Sequence, residues 1–155
     1  MANVVQARSL TTGRSLVPEW LFDRLVRAVQ KAHAHDYATA VRIMDQALAF
    51  LGACARFPER SFAPSILVDH GWHTFILYTE HYRGFCERVA GRFIDHIPDD
   101  DPTDIAVPDD LLSLTVDAIE EAGFSVDREL WDRTGDCQNK CNGRCHHCGT
   151  STGGR

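Results

Sequence analysis

Four cysteines, Cys137, Cys141, Cys145 and Cys148, fall within the run DCQNKCNGRCHHCGTSTGGR that closes the 155-residue sequence. Their spacing is C-x3-C-x3-C-x2-C, with His146 and His147 inside the last gap. The run is too polar to build a core of its own, so its thiols point to chemistry rather than packing. Four thiolates are soft ligands that suit tetrahedral zinc, with Cu(I) or an iron–sulfur cluster as alternatives. In a helical run the steps of four, four and three would put all four sulfurs along one stripe. In a coiled run Gly143 and Gly149 would let the chain wrap an ion. Lys140 and Arg144 would favour thiolates, which leaves a redox-sensing tail as a further reading.

A second constellation lies in mid-chain, in SILVDHGWHTFILYT, residues 65–79. Asp69 and His73 stand four apart, so on a helix the carboxylate can orient the imidazole, or both can hold one ion. At about 100° per residue, Asp69, His70, His73, Thr74 and Leu77 share one side, while Leu67, Val68, Gly71, Trp72, Phe75 and Ile76 share the other. The competing reading is a solvated polar face, or an Asp–His pair that anchors a loop. His96 falls on the apolar side of the next helix, beside Val89 and Phe93, where a hydrogen-bonded core histidine is expected. Cys86, on the same face, is expected to act as a small hydrophobe.

The elements that must position these groups are helical. Pro18 suits a first helical turn. From there Val17, Leu21, Leu25, Val29 and Ala32 recur at helical spacing, and the helix should end near residues 33–35. Asp36 then caps a second helix carrying Tyr37, Val41, Met44, Leu48, Leu51 and Ala55. The short connection makes the two an antiparallel hairpin. The segment FPERSFAP, residues 57–64, is a loop. A third helix covers 65–79, and a fourth runs to His96 with Tyr82, Phe85, Cys86, Val89 and Phe93 on one face. The acidic connector at 98–108 holds three prolines and cannot be helical throughout. A fifth helix begins after Pro108, Asp109 and Asp110 and ends at Gly123, with Phe124 packing back. A short turn around residues 127–131 closes the domain. The expected fold is all-α: a bundle of about five helices with a flexible lead at 1–15, a helical domain at 16–132 and a Cys/Gly-rich metal-binding tail at 133–155.

Composition bounds the remaining classes. A 44% hydrophobic and 25% charged chain is ordinary for a globular domain. A formal charge of −6, with no basic stripe, argues against a nucleic-acid partner. No apolar run reaches the roughly 18 residues of a membrane span, so no membrane partner is expected. The first residues carry no apolar leader, which favours the cytoplasm, and there the six cysteines stay reduced.

The pattern Asp69-x-x-Trp72-His73-x-x-x-Leu77-x-x-x-x-Tyr82-x-x-x-Cys86 resembles the D-x-x-W-H-x-H-x-L…Y…C signature of the glycine-rich domain-containing protein-like family. By that resemblance Asp69, Trp72, His73, Tyr82 and Cys86 are the signature positions and the fold is helical. The sequence departs at Phe75, where larger members often carry a second histidine, and it lacks the long glycine-rich region.

Two functions compete. One is a non-enzymatic metal-binding accessory or interaction protein, with a protein partner, whose thiolates hold zinc while Asp69 and His73 orient or add ligands. No phosphate loop or nucleophile elbow is present to suggest an enzyme. The other is a small metal-dependent enzyme of a biosynthetic or modification pathway. Its site would lie between helices three and four, with Asp69, His73 and either His96 or His70 as ligands beside an open position. Convergence of Asp69, His73 and His96 in a pocket would favour the second.

Overall fold

The computed structural model describes residues 9–96 and 110–131. Among these residues it is all helix: a 3-10 turn at Gly13–Leu16, then α1 (Glu19–His33), α2 (Tyr37–Arg56), α3 (Ile66–Leu77), α4 (Thr79–Ala90), α5 (Leu111–Glu121) and α6 (Arg128–Trp131). The short α6 is the turn expected near residue 131, here closed into one helical turn.

The long α2 is the hub, packed by α1, α3, α4, α5 and α6. Ile43, Met44, Leu48 and Leu51 are fully buried. Asp36 caps α2 as expected, its carboxylate accepting from the Thr39 N–H at 2.9 Å and the Thr39 hydroxyl at 2.7 Å. By length and composition α2 could cross a membrane, yet 61% of its apolar window is buried inside the domain, as befits a central core helix. Tyr37, placed on the buried stripe by periodicity, is 54% exposed at the first turn, where the helix has no neighbour to cover it.

Close helix approach sets where α3 sits. A Cβ built on Gly71 would stand 2.7 Å from the Ala47 Cβ on α2, so only glycine lets the two backbones come this near. The start of α3 is held by Ser65, whose hydroxyl accepts from the Val68 N–H at 3.2 Å and donates to the Leu130 carbonyl at 2.6 Å. That second bond ties α3 to α6. Gln46, buried on α2, fixes α6 in turn. Its carbonyl accepts from the Trp131 indole at 2.8 Å and the Asp127 N–H at 3.0 Å. Arg42 clasps Asp127 through two nitrogens, at 2.5 and 2.9 Å, and reaches Glu129 at 2.6 Å.

Two boundaries differ from expectation. The lead-in to residue 15 is partly packed structure. Thr11 pairs with the Gly123–Ser125 strand-like stretch in a single β-bridge, and the Arg14 N–H donates to Asp45 at 2.8 Å. The fourth helix stops at Ala90 rather than continuing to His96, because Gly91 takes a left-handed φ of +66° and turns the chain. Phe93 is therefore half exposed, not on a buried helix face. Gly123, φ +97°, ends α5 where expected, and Phe124 returns to the core with its N–H on the Ile119 carbonyl at 3.1 Å.

Candidate metal centre

Asp69 and His73 lie one turn apart on the outer face of α3, and the early end of α4 brings a third group to them. After Gly91 the chain runs back along the bundle and sets His96 against α3. Each oxygen of Asp69 takes one imidazole: Oδ2 is 2.9 Å from His73 Nδ1, and Oδ1 is 3.0 Å from His96 Nε2. The two rings stand 4.2 Å apart, centroid to centroid. One ligand atom from each residue fits within 4.8 Å of the others. Asp69 is 14% exposed and His96 20%, whereas His73 is 53% exposed and faces outward.

This donor set has the chemistry of a divalent transition-metal site. Two imidazoles and a carboxylate bind zinc with bonds of about 2.0–2.2 Å, which separates neighbouring ligand atoms by roughly 3–3.5 Å. The two contacts to Asp69 are already close to that spacing. The His96 contact is also a hydrogen bond, the ring N–H donating to the carboxylate, while His73 stands at ion-pair distance from the other oxygen. An ion would replace that proton.

The placement of His96 rests on a buried chain of hydrogen bonds. The Trp72 indole donates to the Tyr82 hydroxyl at 3.0 Å, and that hydroxyl donates to the Ile94 carbonyl at 2.6 Å. Trp72 also lies against the His96 ring, with centroids 4.4 Å apart. Trp72, Tyr82 and Ile94 are buried, and Cys86 fills the core on the same helix as Tyr82. Burial pushes the Tyr82 hydroxyl well above its usual range, so it stays protonated and keeps donating. Asp69, Trp72, His73, Tyr82 and Cys86 thus lie in one region: Asp69 contacts His73 and His96, Trp72 and Tyr82 join in the hydrogen-bond chain behind His96, and Cys86 packs in the core.

His70 turns away from Asp69 to a separate patch. Its ring stacks on His33 at 3.9 Å with the planes 5° apart, and its Nδ1 lies 3.2 Å from His35 Nε2. Burial lowers the His70 pKa to about 4, with repulsion from His33 and then His35 adding to it. His33 is lowered in the same way, by burial first and then His35. His33 and His35 sit beyond the apolar stripe of α1. Their only signal was the His-x-His spacing at the end of that helix.

Cys137, Cys141, Cys145 and Cys148 lie outside the described residues. Cys54 and Cys86 lie in the helical body as free thiols, and burial holds Cys54 up at about 12, so it is no ready ligand.

A family model described as UCP032817-like matches residues 13–103, a span that contains Asp69, His73 and His96 together with the residues that support them. No curated protein and no solved structure matches the chain.

Proposed function

The chain belongs to the UCP032817-like family, and for it we propose a metal-binding role centred on Asp69, His73 and His96. The observation that carries this reading is one carboxylate gripping two imidazoles from different segments, at 2.9 and 3.0 Å. Three protein ligands would leave a fourth position on a tetrahedral ion, and the 53% exposure of His73 supports access to it from solvent. Zinc is the first choice of ion. Two histidines and a carboxylate also suit Fe(II), which such sites hold with open positions.

An open position beside a divalent ion supports the metal-dependent enzyme over the purely structural site. Bound there, the ion would polarise an oxygen or lower the pKa of a water. Asp69 would fix both rings, and Trp72 would hold His96 from behind. The thiolate cluster of Cys137, Cys141, Cys145 and Cys148 belongs to the same proposal as a second, sulfur-lined site for zinc, with Cu(I) or an iron–sulfur cluster as alternatives. It would serve an accessory role toward a protein partner in the reducing cytoplasm. The likeness of the Asp69–Cys86 pattern to the glycine-rich domain-containing protein-like signature supports treating those positions as one functional unit.

Native mass spectrometry of zinc-loaded protein separates the two sites. Two ions per chain, falling to one in a C137S/C141S/C145S/C148S variant and to none when D69N is added, is the expected series. Loss of all bound metal with the cysteines alone would remove the helical site from the account.

A further inference from the structure

A groove of about 960 Å³ runs along the seam between α1 and α3, at the upper end of the size of small-molecule sites. Asp69, His73 and His96 do not line it. We infer that this groove binds a small organic anion with an alkyl or aromatic body. The inference does not depend on an ion being held at Asp69.

The lining combines two features that are costly to leave uncovered. Trp20 is 57% exposed and Leu77 is 79% exposed, and both face the groove beside Tyr78. Facing the same space are Arg24, Arg27 and Lys31, stepping by three and four along one side of α1. Among the described residues no carboxylate lies within ion-pair distance of any of the three. Asp23 is the single acid in the lining, so three cations face one acid in a chain whose net charge is −6. This local excess is therefore not a reflection of composition. Like charges at such spacing repel, and an anion placed among them relieves that repulsion. The Arg24 guanidinium lies over the Tyr78 ring at 5.0 Å, which holds one cation against the apolar wall.

The geometry also orients the ligand. At one end the groove reaches Trp20, Leu77 and Tyr78; at the other it reaches Lys31, Ala32 and Thr74. One turn beyond Thr74 is His70, whose carbonyl accepts from the Thr74 hydroxyl at 2.7 Å, and two residues beyond Lys31 is His33. A bound molecule would lay its apolar body on Trp20 and Leu77 and its charged group by Arg27 and Lys31, with that end directed toward the stacked imidazoles. A concave seam with its cations along one helix suits a dissolved small molecule better than a lipid surface.

Trp20 supplies the readout, since Trp72 and Trp131 are buried. Decanoate, below its micellar concentration, should shift the emission of the full-length protein saturably, and 1-decanol should bind at least tenfold more weakly. R27Q/K31Q should weaken decanoate binding at least tenfold. L77D should abolish it with the far-UV circular dichroism unchanged, because Leu77 is at the surface. Calorimetry on W20F, which removes the reporter but keeps an aromatic wall, should still detect decanoate. Equal binding of decanol and decanoate, no effect of R27Q/K31Q, or binding only to phosphatidylglycerol vesicles would each overturn the inference.

Discussion

The Tyr82 hydroxyl donates to the Ile94 carbonyl at 2.6 Å, and through that bond and its partner Trp72 the segment carrying His96 is tied to α3, the helix that carries Asp69 and His73. The hydroxyl also accepts from Trp72, so its removal strands a buried indole N–H and a buried carbonyl together. Y82F should therefore cost about 1–3 kcal/mol of stability. It should also weaken zinc binding about 10- to 100-fold, as is usual when the support of a ligand is lost. Urea unfolding and a chelator competition measure the two effects separately. A destabilised protein with undiminished zinc affinity would mean that His96 needs no such support.

Gly71 sets the position of the ligand helix. In G71A the new methyl meets the Ala47 Cβ at 2.7 Å and Ile43 Cγ2 at 3.2 Å, so α3 must move away from α2. Overpacking of this kind costs about 1–3 kcal/mol. Thermal unfolding should show the loss, and the imidazole NMR signals of His73 and His96 should shift because their helix has moved. Gly84, inside α4 with open space around its Cβ position, is the control: G84A should leave the imidazole signals unchanged and raise stability slightly, by up to about 1 kcal/mol.

The His33–His35–His70 patch makes the metal-free protein sensitive to mild acid. Unfolded, His70 protonates near its ordinary value of about 6.5; folded, it remains neutral down to about 4. Between those limits the unfolded chain binds the extra proton, so stability is full above pH 6.5 and declines as the pH falls toward 4. His33 acts in the same direction. Repulsion from His35 and His73 adds to the lowering of His70 and His33, and attraction to Asp69 opposes it. In H70N the decline between pH 7 and pH 5 should be shallower than in the parent, as measured by urea midpoints. An identical decline would place the acid sensitivity elsewhere.

The bundle was largely legible in the sequence because periodicity, Asp36, Gly123 and Phe124 are local signals with local causes. Asp69 and His73 were legible for the same reason, being one helical turn apart. His96 was misplaced on α4. The stop at Gly91 competes with a helical pattern running through Val89 and Phe93, and sequence spacing alone favoured the pattern. Once the chain turns, His96 is brought to residues 23 and 27 positions earlier, which no periodicity reveals. Trp72 and Tyr82 were visible as signature positions, but the hydrogen bond that gives them their purpose joins different helices. His33 and His35 meet His70 through the packing of α1 on α3, a relation that their own segment does not encode.

The central claim is that Asp69, His73 and His96 share one ion. X-ray absorption at the zinc edge of the C137S/C141S/C145S/C148S variant, loaded with one equivalent of zinc and desalted, tests it most directly. The account predicts a first shell of nitrogen and oxygen alone at about 2.0–2.1 Å, with the outer-shell signature of two imidazoles reduced to one in H96A. Zinc lost on desalting, or a spectrum that H96A leaves unchanged, would contradict it.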